Sequence, residues 1–207
     1  MTEGIKEATK GGQTRISVRD LKPKQYRWIL AIDPNCSLTD PSQNKSGLAT
    51  LNTQNRSLFV HFYTFPEVID ALQTMKTNFA GAIDDVLILI EGGWLVETNF
   101  HLHTNDTCRT ATRKGKDVGR NHQTGILLAE MARHLGYDVE IIKPLPKHWK
   151  GKDKKVTHEE LTTFVDNLPS QTNQDERDAI LLAYHRAGFP VGENPKAEMK
   201  RILANYG

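Results

Sequence analysis

The 207-residue sequence is poor in cysteine, in long apolar runs and in net charge. Its two cysteines, Cys36 and Cys108, cannot build a disulfide framework, which excludes the small cross-linked secreted scaffolds and agrees with a reducing compartment. The purely apolar stretches, such as 28–32 and 86–90, fall far short of the roughly 20 residues a helix needs to cross a bilayer, so no membrane role is expected. Residues 1–12 carry acids and glycines where a secretory signal would carry an apolar core, and the expected location is cytoplasmic. No glycine-rich phosphate loop is present, which argues against a nucleotide cofactor. The net charge is only +2.

What is present is a globular composition, 38% hydrophobic and 25% charged, at a length that favours one domain with extensions. The division expected is a flexible tail over 1–24, a folded domain over 25–188 and a C-terminal extension with a short helix over 189–207. The modest net charge hides an uneven distribution. Between Arg109 and His158 stand twelve Lys and Arg against five acids, a net of +7, so the remainder carries −5. A cationic surface beside an acidic pocket suits a metal-dependent enzyme acting on a polyanion, whereas a charge run alone also fits a solvated face.

Residues 28–32 are apolar throughout rather than alternating, the pattern of a strand buried on both faces, and 86–90 repeat it. Strands over 47–52 and 57–65 flank the short turn 53–56 and predict a hairpin. Thr64 and Glu67 have capping-box spacing around Pro66, and Val68, Ile69, Leu72 and Met75 continue it as a helix of about three turns. The segment 97–118 is polar, basic and aperiodic and reads as a long loop or insertion. Helical spacing returns over 121–135, stopped by Gly136, and a strand over 138–143 is closed by Pro144. Thr157 and Glu160 open a helix expected over 159–167, and a last core helix spans 175–187 before Gly188 and Pro190. Asn194-Pro195 then reads as the start of a C-terminal helix with Met199, Ile202, Leu203 and Tyr206 on one face. Hairpin signals followed by alternating strand and helix predict an α/β fold, a mixed sheet flanked by helices.

Four acids stand out against this frame. Asp33 ends one apolar strand and Glu91 ends the other. Asp175 and Asp178, three apart at the head of an apolar helix, project from one side of it. A carboxylate at the end of such a strand is desolvated at a cost unless a cation or hydrogen bonds compensate. The helix pair has an ordinary alternative, that both acids complement the helix dipole. Taken together, four hard oxygen donors suit Mg²⁺, with Mn²⁺ as substitute, and two such ions about 4 Å apart can drive an in-line phosphodiester displacement.

These residues carry a family resemblance. Ile29-Leu30-Ala31-Ile32-Asp33-Pro34 with Ser46-Gly47-Leu48-Ala49 resembles the first strand and hairpin of the RuvC-like Holliday-junction resolvases, in the ribonuclease H-like superfamily. Ile90-Glu91 resembles their second acid. Residues 119–136 followed by Val139-Glu140-Ile141-Ile142-Lys143-Pro144 resemble the long helix and the strand ending in proline, and 151–156 resemble the basic loop. Asp175-Glu176-Arg177-Asp178-Ala179, with Leu181, Ala183, Tyr184 and His185, resembles the closing helix. The resemblance spans about 28–187. It implies a ribonuclease H-like five-stranded sheet with its first three strands antiparallel, two divalent metals, a homodimer, and paired nicking of four-way DNA junctions. By the same match Asp33, Glu91 and Asp178 would ligate metal, Asp175 would ligate or support, and Lys154 or Lys155 would contact the backbone near the scissile bond.

The expected DNA-contacting set is Trp94, Arg120, Lys147, Lys150, Lys152, Lys154 and Lys155. Trp94 lies where the resolvases carry an aromatic that can wedge into a junction; stacking and ordinary packing are both open to it, and to Trp149. His101, His103 and Cys108 lack a fourth zinc ligand and a recognised spacing, and Cys36 lacks the partners of a nucleophile. The function expected is a Mg²⁺-dependent, structure-selective DNA endonuclease. The rivals are a nuclease of the same fold acting on an RNA/DNA hybrid, a flap or a replication intermediate, and a non-catalytic nucleic-acid-binding protein.

Overall fold

The computed structural model describes residues 24–36, 44–78, 82–97 and 106–191. The tail expected over 1–24, apart from Lys24, the C-terminal helix and the pair His101 and His103 lie outside the described residues. Five strands form one mixed sheet: β1 (Trp28–Asp33), β2 (Lys45–Asn52), β3 (Leu58–Thr64), β4 (Val86–Glu91) and β5 (Asp138–Ile142), in the order β3-β2-β1-β4-β5. β1, β2 and β3 pair antiparallel, and β4 and β5 run parallel to β1 and β4. This is the mixed five-stranded sheet with its first three strands antiparallel that was anticipated above.

The central strands are apolar throughout because both faces of the sheet are covered. Leu30, Ile32, Leu48, Ile88 and Ile90 point to the side packed by α1 (Phe65–Asn78) and α2 (Cys108–His134). Ile29, Ala31, Ala49, Leu87 and Leu89 point to the other side, where α4 (Gln174–Arg186) lies with Val156, Leu161 and Val165. α4 buries every residue from Ala179 to Tyr184, which is why its sequence shows no strong amphipathic stripe.

Helix lengths depart from expectation in three places. α1 opens where Thr64 donates its backbone N–H (2.7 Å) and its hydroxyl (2.8 Å) to the Glu67 carboxylate, and it runs a turn further than foreseen, to Asn78. Residues 108–118, expected to be loop or insertion, form the first part of the 27-residue α2. Thr107 caps it by accepting the Thr110 N–H at 3.2 Å, and Lys114 pairs with Asp106 at 2.7 Å. The buried residues of α2, Gly125, Leu128, Ala129 and Ala132, all lie in its second half, so the first half is a helix with no apolar stripe to betray it. The helix expected over 159–167 is only α3 (His158–Leu161). Its capping box is present as foreseen, with Glu160 accepting from the Thr157 N–H at 2.9 Å. A capping box sets where a helix starts, not where it stops, and past Leu161 the chain continues as hydrogen-bonded turns, reaching positive φ (58°) at Asn167.

Candidate active site

Parallel pairing sets β1 and β4 side by side with their ends together, so Asp33 and Glu91 come to one edge of the sheet. β2 runs the other way, and its beginning lies at that same edge, with Gly47 opposite Asp33. α4 arrives over Gly47. A Cβ there would fall 2.2 Å from the carbonyl carbon and oxygen of Asp175 and 2.5 Å from the Glu176 nitrogen, so the glycine is what lets the first turn of α4 lie on the strand. Asn173 caps that turn, accepting the Glu176 N–H at 2.9 Å while Glu176 accepts the Asn173 N–H at 2.7 Å.

The result is a cleft of about 170 Å³ lined by Asp33, Glu91, Asp175 and Asp178 together with Asn35, Asn121, Lys147 and Lys155. Asn35 donates its amide to Asp175 at 2.9 Å and its backbone N–H to the Ser46 hydroxyl at 3.3 Å. Asp178 is held between the Gln174 amide at 2.8 Å and the Lys155 ammonium at 3.0 Å. Arg177 ties the loop that carries Lys155 to the helix, donating Nε to the Val156 backbone carbonyl at 3.1 Å and Nη2 to the Gln174 side-chain Oε1 at 3.0 Å, with a further bond to the Thr172 backbone carbonyl.

The electrostatics of the cleft are those of too many negative charges in too little water. Burial, then the nearby charges of Glu91, Asp175 and Asp178, hold the Asp33 carboxyl well above the ordinary range. Burial and then Asp178 push Glu91 up to about 7, against the partial relief of Lys155 and Lys147. Asp175 is raised by burial despite the Asn35 hydrogen bond. Lys155 is drawn down by its own burial but raised overall by Asp178, Asp33 and Asp175. Among the described residues no three acidic, histidine or cysteine side chains are gathered closely enough to make a ready coordination shell, and it is the Lys155 ammonium that bonds to Asp178. The donor set nonetheless fits a hard divalent cation: the carboxylates are oxygen-only, desolvated and mutually repelling, the condition such an ion relieves.

A second depression of about 190 Å³ shares Asp33 and Glu91 and is walled by Trp94, Val118, Asn121 and His122. The Trp94 ring packs on α2 at Gly125, where a Cβ would come within 2.5 Å of it, and meets the His122 ring edge-on with centroids 6.2 Å apart. Lys147 and Lys155 reach the acid cleft itself. Lys150, Lys152 and Lys154 are exposed on the same loop, and Arg120 is exposed on α2 beside Asn121. Trp149 is buried, stacked with Phe164 at 5.9 Å, and acts as the anchor of that loop. Asn35, Gly47, Asn121 and Gln174 escaped the sequence reading as site residues. Asn121 accepts the Cys36 N–H at 2.6 Å, joining α2 to the segment after β1, a link between positions far apart in the chain.

No protein-family model matches this sequence, and no curated protein matches it. Among solved structures, T. thermophilus RuvC in complex with Holliday junction substrate is similar at a TM-score of 0.42 and 12% identity, over 79% of this chain and 97% of that one. Among the described residues, no helix is long and apolar enough to cross a membrane.

Proposed function

We propose that the chain is a Mg²⁺-dependent endonuclease that cuts branched DNA, with four-way junctions as its substrate and a homodimer as its working form. The observation that carries this reading is the meeting of four carboxylates from three separate chain segments in one cleft, next to a lysine-bearing loop. Asp33, Glu91 and Asp178 would hold divalent metal, with Asp175 ligating or supporting, and the two ions would activate water and stabilise the leaving oxygen of the phosphodiester. Asn35 and Gln174 orient Asp175 and Asp178 through their hydrogen bonds, and the carboxylates would draw together, with Asp178 leaving Lys155, as a cation enters. Lys155 supplies positive charge inside the cleft, and Lys147 at its wall meets phosphate entering from outside. Lys150, Lys152, Lys154 and Arg120 extend that charge along the surface, and Trp94 offers a ring for an unstacked base.

Cleavage of labelled four-way junction, flap, hybrid duplex and linear duplex by the wild type and by Asp33→Asn, with and without Mg²⁺, tests this. The expected result is Mg²⁺-dependent cutting of the junction by the wild type, and binding without cutting by the variant. Cutting of flap or hybrid in preference to junction would move the substrate. Equal cutting by Asp33→Asn would remove the site assignment.

A further inference from the structure

On the α1 side of the sheet the edge strand β3 is only partly covered: Leu30 and Leu48 are buried, whereas Phe59 and His61 are exposed. There, α1 and the edge strand β3 enclose an apolar groove of about 620 Å³, floored by Trp28, Leu30, Leu48 and Phe59 and bounded by Tyr63 and Met75. Phe59, in the middle of this face, is 54% exposed. An apolar face of this size beside an edge strand in water invites association, and folded proteins cover or blunt such edges. On its α1 rim the groove carries two acids, Glu67 and Asp70.

We propose that this groove is the docking site of the chain's own segment 192–207. That segment holds Met199, Ile202, Leu203 and Tyr206 at helical offsets of three, four and seven, with Lys196, Lys200 and Arg201 against Glu193 and Glu198, a net charge of +1. An amphipathic helix with a basic flank is complementary to an apolar groove with an acidic rim. The exit point agrees. Phe189 packs on Tyr184 with ring centroids 5.5 Å apart, and the Arg56 guanidinium lies 4.6 Å above the Phe189 ring. Arg56 belongs to the turn joining β2 to β3, so the chain passes Val191 at the end of the edge strand nearest Phe59. With the helix opening at Pro195, residues 192–194 extended and 195–198 in helical geometry reach about 16 Å, enough to round one strand edge. The opposite terminus is less suited. Lys24 pairs with Asp138 at 2.6 Å, at the start of β5 on the far edge of the sheet, and residues 1–23 carry no apolar period.

The test is hydrogen exchange on the full chain, read with its elution volume. Wild type is expected to protect the amides of 199–206 at least about tenfold over an unstructured peptide, at every protein concentration. Ile202→Glu with Leu203→Glu is expected to abolish that protection while leaving exchange in β1 and α4 unchanged. A cross-link gives an independent reading: Ala71→Cys with Ile202→Cys, with Cys36 and Cys108 replaced by Ser, should oxidise to an intramolecular disulfide. Exchange of 199–206 at the unstructured rate would overturn the proposal. So would protection, or a cross-link, that appears only between chains, since a second copy would then be the occupant.

Discussion

Two depressions of this molecule are opposites. The acid cleft at the ends of β1 and β4 takes charge out of water, and the groove between α1 and β3 leaves apolar surface in it. In the cleft, function is in tension with stability, because the carboxylates that would hold metal repel one another in a desolvated place. In the groove there is no such tension: whatever covers it adds to stability. A polar site thus reads as unstable until its cation arrives, and an apolar one as unfinished until its cover arrives.

The strongest way to break this comparison is Asp33→Asn. Cleavage should fall on the order of 10³-fold or more, since losing a metal ligand removes several kcal/mol of transition-state stabilisation. The thermal midpoint without metal should stay level or rise, because a desolvated charge is gone. A drop in both together would mean that Asp33 is a structural acid. Gly47→Ala comes next. With a Cβ 2.2 Å from the Asp175 backbone, α4 must shift, at about 3 kcal/mol in urea denaturation and with the loss of cleavage. A variant as stable as wild type would show that the approach of α4 is not tight.

The pH dependence sharpens the polar side of the comparison. Glu91 is raised to about 7 in the folded chain from an ordinary value near 4.5. Between those values the folded state binds the proton more firmly than the unfolded state. Its contribution therefore favours folding in acid and is lost as pH climbs from 4.5 through 7, by about 2–3 kcal/mol. Comparing wild type with Glu91→Gln by denaturation at pH 5 and pH 8 isolates the effect: the variant should gain relative stability at pH 8, and Mg²⁺ should stabilise wild type more at pH 8 than at pH 5. A difference of the opposite sign would refute the desolvated acid. The smallest effect belongs to the groove. Phe59→Ser should cost about 1–2 kcal/mol if 192–207 covers it, and under about 0.5 kcal/mol for a side chain left in water.

The strands were legible because each of β1 and β4 is an apolar run closed by a charge, and Asp33 and Glu91 were legible for the same reason. Asp175 and Asp178 stood out by their offset on a helix whose remainder is apolar. What escaped the sequence acts across the chain. Gly47 matters only because α4, more than 120 residues later, rests on it, and Asn35 only because Asp175 meets it. The first half of α2 escaped because a helix held by its cap and by surface charge leaves no period in its apolar residues. Trp149 could be read either way until its stack with Phe164 showed it as an anchor.

The tight seat of α4 on Gly47 also bears on synthesis. A chain growing at roughly 5–20 residues per second completes the β1–β2–β3 hairpin and its Asp33 well before the residues of α4 exist. The last two acids arrive with the helix that closes one face of the sheet, so the cleft forms in the same event that seals the core. Until α4 has emerged and packed, a nascent chain therefore holds no complete acid cluster.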